Sequence, residues 1–128
     1  MRPLAILIEK NPHLRAQLAD TLERLGITLA ASYDAVPATL RDQVSTLRPE
    51  LVVFPMRQAH AGRWRLVREL QSLAVRPTLM ALAPVDIPAI RQSALDQGVD
   101  HVFDPLLELD ALLTALRSLA AARRSLAS

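Results

Sequence analysis

The sequence predicts a single α/β domain, a doubly wound parallel sheet with helices on both faces. Short apolar runs alternate five times with amphipathic segments whose apolar residues recur at helical spacing. The amphipathic segments are long enough to cross over, as consecutive parallel strands require. A chain of 128 residues holds one hydrophobic core and little else, so residues 1–128 are expected to form one domain, without internal repeat or linker.

Each element has a local reason. Leu4 to Ile8 is an apolar run that ends at Glu9 and Lys10, the pattern of a strand buried on both faces. Asn11 can cap a helix with Pro12 at its first position, Leu14, Leu18, Leu22 and Leu25 repeat along it, and Gly26 stops it. Ile27 to Tyr33 reads as a second, weaker strand. Asp34 is the expected cap of a helix that turns Leu40, Val44 and Leu47 inward, with Pro37 tolerated only near its start. Arg48-Pro49 ends that helix, and Leu51 to Phe54 is the most strand-like run in the chain, stopped by Pro55. After a polar loop from Arg57 to Gly62, Trp64, Leu66, Val67, Leu70 and Leu73 mark a third helix. Thr78 to Ala83 is a fourth strand closed by Pro84. Asp86 is the expected cap of a helix through Ile90, Ala94 and Leu95 that ends at Gly98. Val102-Phe103 makes a short fifth strand, and a leucine-rich helix carrying Leu109, Leu112, Leu113, Leu116 and Leu119 closes the chain.

Composition narrows the function. At 51% hydrophobic and 22% charged the chain is expected to be globular rather than disordered. Cysteine is absent, which excludes disulfides, thiolate metal sites and cysteine nucleophiles. No apolar run reaches the length of a bilayer span, and the first apolar run meets Glu9 and Lys10 without a cleavage motif, so a cytoplasmic location without membrane contact is expected. Three glycines and no GxGxxG or GxxxxGK[ST] leave no phosphate-cradling loop. The serines lack a nucleophile-elbow context, and His13, His60 and His101 fall on separate elements. The expectation is a binding module rather than an enzyme, with no cofactor and no metal.

Open parallel sheets place their sites at the C-terminal ends of the strands. That singles out Glu9, Lys10, Pro55, Arg57, Leu82, Ala83 and Asp104. The segments ILIEKNPHLRAQLADTLERLG, RPELVVFPM, PTLMALA and LDQGVDHVFDPL, in this order and spacing, resemble the receiver domain of two-component response regulators, the chemotaxis-type fold, over nearly the whole chain. The resemblance implies a flavodoxin-like (βα)5 sheet in the order 2-1-3-4-5. It also implies a phosphoryl-accepting aspartate after the third strand, two acidic residues after the first that hold Mg²⁺, a hydroxyl after the fourth, and a lysine before a proline after the fifth. A carboxylate nucleophile, a bridging metal, and a hydroxyl and ammonium that neutralise charge are what phosphoryl transfer to an aspartate needs.

Matched residue by residue, this chemistry is mostly missing. The first acidic position is Glu9, but the second is Lys10, a fixed positive charge. The phospho-acceptor position falls on Pro55, which has no nucleophile. The hydroxyl position falls on Leu82, or on Ala83 with a slip of one. The lysine position falls on Asp104, with Pro105 retained after it, and the aromatic switch position on His101, or Val102 with the slip. The resemblance therefore implies a degenerate pseudo-receiver that works without phosphorylation, through protein–protein contact in a bacterial two-component or phosphorelay-related pathway, and as a homodimer.

Several residues carry subsidiary expectations. Lys10 and Asp104, with Glu9, are expected at the ends of neighbouring strands, where they would form an internal ion pair or lie solvated after drift; a metal held by Glu9 and Asp104 conflicts with the charge of Lys10. Arg57, His60, Arg63, Arg65 and Arg68, interleaved with Trp64, form the densest basic cluster, suited to an anion or partner and equally readable as a solvated face. They carry the alternative function, a receiver-like regulator binding nucleic acid in the manner of antitermination proteins. A doubly wound enzyme using Glu9 and Asp104 as acid and base is a further rival. In the last helix, Leu109, Leu112 and Leu116 belong to a leucine set larger than one sheet face needs, and are read either as a dimer interface or as a helix packed only on its own sheet.

Overall fold

The structure, a computed structural model, describes residues 3–56 and 61–127, apart from the side chains of residues 61 and 123–127. Strands β1 (Leu4–Ile8), β2 (Thr28–Tyr33), β3 (Leu51–Pro55), β4 (Thr78–Leu82) and β5 (His101–Phe103) alternate with helices α1 (Pro12–Arg24), α2 (Leu40–Leu47), α3 (Ala61–Gln71), α4 (Pro88–Asp96) and α5 (Leu109–Ala127). All strand pairs are parallel, and the order across the sheet is β2-β1-β3-β4-β5, the flavodoxin-like arrangement.

Period-two alternation along the central strands divides the core into two layers. Ile6, Ile8, Val52, Phe54, Leu79 and Ala81 face α2, α3 and α4. Ala5, Leu7, Leu51, Val53, Met80 and Leu82 face α1 and α5. Because both faces are covered, β1, β3 and β4 read as continuous apolar runs rather than alternating ones.

The helix starts separate local from tertiary control. The Asn11 side chain accepts from the amides of His13 at 2.9 Å and Leu14 at 3.2 Å, and Pro12 occupies the first turn, as the sequence predicts. The expected cap at Asp34 is not used. The chain instead runs past Val36, which packs on the first core layer, turns through Leu40 N–H to Pro37 C=O, and enters α2 after Thr39. Asp86 is likewise not a cap: α4 starts after Ile87 with Pro88 in its first turn, where a residue lacking an N–H loses nothing.

The expected dimer face on α5 is also corrected. Leu112 and Leu116 are each 1% exposed, packed with Leu7, Val53 and Met80 in the layer beneath the sheet, and Leu109 is half-buried. The surplus of leucines arises because α5 shares this layer with α1, so its apolar stripe is consumed within the chain. Leu47, expected to face inward, is 39% exposed at the end of α2.

Candidate functional site

The C-terminal ends of β1, β4 and β5 enclose a cleft of about 390 Å³. Glu9 leaves β1 fully buried, while Lys10 beside it turns to solvent. Pro55 is the last residue of β3, in register with Leu82, the last of β4. Leu82 pairs in turn with Phe103, so Asp104 is the first residue beyond β5. Glu9, Leu82, Ala83 and Asp104 line the cleft together with Asn11, Leu14, Pro84, Ile87, Pro105 and Leu106. Neither Leu82 nor Ala83 offers a hydroxyl, so either choice of the slipped position leaves the wall apolar.

The expected contact between Lys10 and Asp104 is not formed. With β3 and β4 lying between β1 and β5, the two strand ends are not neighbours. Asp104 spends its oxygens on the backbone instead. Oδ1 accepts the amides of Leu106 at 2.9 Å and Leu107 at 3.1 Å, and Oδ2 accepts that of Val85 at 3.1 Å. One carboxylate thereby ties the β4–α4 loop to the β5–α5 loop. Burial pushes the Asp104 carboxyl up, but these amides and the nearby Arg91 charge outweigh burial and hold it below the usual aspartate range.

Two further residues complete this knot, and sequence reasoning missed both. Glu108 Oε1 accepts the Asp104 amide at 2.9 Å, and the Arg91 guanidinium of α4 grips both Glu108 oxygens and reaches the Val102 carbonyl. Arg91, then the Asp104 amide, hold the Glu108 carboxyl below its ordinary range against the opposing effect of burial. The exchange between Asp104 and Glu108 is a capping box lengthened by one residue. Asp-Pro followed by Glu ahead of a leucine-rich helix is the local signal that could have revealed it; the Arg91 partner has no such signal.

The donor set does not suit the Mg²⁺ that the receiver resemblance implies. That ion needs an octahedral oxygen shell built around carboxylates. Among the described residues, only Glu9 and Asp104 supply carboxylates to the cleft, three accepting positions of Asp104 are filled by amides, and no group of three His, Cys, Asp or Glu side chains suited to a metal occurs.

The basic cluster is only partly described. Arg57 and His60 lie outside the described residues. Arg63 is half-buried, and its burial lowers its pKa from the ordinary arginine value. Arg65 and Arg68 are exposed, with Arg68 donating to Gln97 Oε1 at 3.4 Å, and Trp64 packs against the first core layer rather than standing free as a stacking platform. Of the described members, Arg63, Arg65 and Arg68, none lines the cleft.

No protein-family model and no curated protein matches the chain. Solved structures do. The DNA-binding response regulator of the LuxR family from Staphylococcus aureus superposes with a TM-score of 0.74 at 13% identity, covering 92% of this chain and 98% of that one. A CheY-like response regulator receiver domain from Methylobacillus flagellatus gives 0.71 at 16% identity, covering 93% and 99%. The response regulator RcsB from Salmonella typhimurium, described for its interaction with DNA, gives 0.69 at 14% identity over 91% of this chain, which spans only 60% of the RcsB chain. At these identities the likeness establishes the fold, a CheY-like receiver fold.

Proposed function

We propose that this chain is a phosphorylation-independent pseudo-receiver, a signalling module of a bacterial two-component or phosphorelay-related pathway that acts by contact with another protein. The observation that carries this reading is Pro55 at the end of β3. Its pyrrolidine ring has no nucleophile at the place where receiver chemistry needs a carboxylate, and the neighbouring strand ends present Leu82, Ala83 and an amide-bound Asp104. A phosphoryl group would find no acceptor, no hydroxyl and no ammonium there.

The Asp104 knot supports the same reading. A receiver that answers to phosphate must let the loops around the site rearrange between two states. Here hydrogen bonds of Asp104, Glu108 and Arg91 cross-link the β4–α4 loop, α4 and the β5–α5 loop. On this reading the module presents one constant surface. The receiver likeness of the fold supports the pathway assignment, and Trp64, packed against the first core layer rather than free to stack on a base, supports a protein partner.

The test is intact-mass analysis after incubation with acetyl phosphate and Mg²⁺, with light scattering over a concentration series in parallel. The expected result is an unmodified chain whose assembly state ignores both additions. A stable phosphoryl adduct, or a phosphate-driven change of assembly, overturns the reading.

A further inference from the structure

The sheet ends in two edge strands, β2 and β5, and each has an outward backbone group taken by a charged side chain from a neighbouring helix. An edge strand carries N–H and C=O groups with no strand opposite, and an extended chain can pair with them. On β5 the Phe103 carbonyl accepts from Ala83 at 2.9 Å, so the carbonyl of Val102 before it points away from β4, and the Arg91 guanidinium reaches it at 3.4 Å. On β2 the Thr28 amide donates to Pro3 and the Tyr33 carbonyl accepts from Glu9, so both residues face β1. Alternation then turns the backbone of Leu29 and Ser32 outward. Glu23 Oε1, from the last turn of α1, accepts the Leu29 amide at 3.0 Å.

The two edges are not equally at risk. β5 is three residues long, too short to template much pairing. β2 has six residues, TLAASY, more than any other strand, with no charge and no proline among them. Its register against β1 skips Ala30, a bulge that bends the strand, but Ser32 beyond the bulge is exposed.

We propose that the outer edge of β2 is a strand-addition surface for the β2 of a second copy, and that the Glu23 carboxylate is the gatekeeper that keeps it closed by occupying the Leu29 amide. This does not depend on the pseudo-receiver reading, because the edge runs along β2 and not across the strand ends.

The edge selects its occupant. Backbone donors and acceptors at strand spacing are matched by an extended chain and not by a helix or a small ligand. Antiparallel pairing about a two-fold axis sets one uncharged TLAASY against another, with no like charges opposed, and closes as a pair. A second strand needs the Leu29 amide for a carbonyl of its own, and a carbonyl binds an amide more weakly than a carboxylate does. Glu23 and the incoming strand therefore exclude one another.

The experiment is light scattering of the full chain over a concentration series, for wild type, Glu23→Ala and Glu23→Ala combined with Ser32→Pro, each checked for folding by circular dichroism. The expected result is that Glu23→Ala reaches twice the wild-type mass at concentrations at least about tenfold below any at which wild type does, the factor that loss of one bond to a charged acceptor gives. Exchange of the Ser32 amide should slow only in that associated state. Ser32→Pro should restore the wild-type mass, because proline is tolerated on an edge where its missing N–H faces outward. If Ser32→Pro disturbs folding, Ser32→Lys at the same exposed position should restore it by opposing like charges across the pair. A Glu23→Ala chain that scatters as wild type overturns the proposal, and so does association that survives both changes at Ser32. A carboxylate that only braced the turn between α1 and β2 would change stability and leave the mass unaltered. Binding of the blocked peptide Thr-Leu-Ala-Ala-Ser-Tyr to Glu23→Ala without self-association overturns the second copy as the occupant.

Discussion

Replacing Asp104 by alanine tests the knot on which the constant surface depends. The substitution removes three hydrogen bonds from a carboxylate to the amides of Val85, Leu106 and Leu107. Bonds to a charged acceptor contribute about 1.5–3 kcal/mol each, so the simple sum is roughly 4.5–9 kcal/mol. That sum is too large here. Leu106 and Leu107 are largely exposed, and water can solvate their amides once the carboxylate is gone. The Val85 amide, in a half-buried loop, is the one left poorly satisfied, and Arg91 keeps its grip on Glu108. The expected loss is therefore about 2–4 kcal/mol, a large share of the roughly 5–15 kcal/mol of a domain this size. Urea unfolding by circular dichroism reads it as a lower midpoint at unchanged slope. The acid limb gives an independent readout. Because the native pKa of Asp104 lies below its unfolded value, its contribution is present above the unfolded pKa of about 3.9 and is lost as pH falls through the native one. Wild type should lose stability across that window, and Asp104→Ala should lose less. A destabilisation under about 0.5 kcal/mol, within the range of an ordinary surface substitution, or an unchanged acid limb, refutes the claim that this carboxylate holds the loops.

Pro55→Asp alone should remain unphosphorylated by acetyl phosphate and Mg²⁺, because Lys10, Leu82 and Asp104 still deny the metal, hydroxyl and ammonium functions; a stable adduct by intact mass contradicts this. Leu116→Ala, 1% exposed in the α1/α5 layer, should cost about 2–5 kcal/mol in urea unfolding without changing the scattering mass, whereas a change of mass at constant stability would restore the interface role. Gly98→Ala should cost more than about 1 kcal/mol by thermal or urea unfolding, since φ is +95° and the added Cβ would collide with the Gln71 amide that bonds the Gln97 and Gly98 carbonyls; a neutral result would mean that Gln71 moves aside freely. Arg65→Ala and Arg68→Ala should each shift stability by no more than about 0.5 kcal/mol, and filter binding to RNA should show no salt-dependent retention that they abolish.

The strands at Leu4–Ile8 and Leu51–Pro55 announce themselves because continuous apolar runs bounded by Glu9 or Pro49 have few other ways to fold. The Asn11-Pro12 start of α1 is a property of the residues involved. The starts of α2 and α4 differ from the local expectation because Asp34 and Asp86 are adequate caps, but Val36 packs on the first core layer and Pro88 suits the first turn of α4. The leucines of α5 illustrate the limit in another way. Periodicity shows that Leu112 and Leu116 share a face, but not whether this chain or a second one covers it.

The candidate site divides along the same line. Residue identity alone determined that the end of the third strand carries no nucleophile, since no environment makes Pro55 one. Spacing alone determined five strand–helix units, because a period of two or 3.6 is a property of the backbone. Only the tertiary structure decided that Glu9 and Asp104 share a cleft while Lys10 leaves it, that Asp104 answers to backbone amides rather than to a lysine, and that Arg91 and Glu108 close the knot. The Val85–Asp104 and Arg91–Glu108 pairings join residues 19 and 17 positions apart through loops, and such contacts are chosen by how the strand order brings chain ends together, which no local pattern encodes.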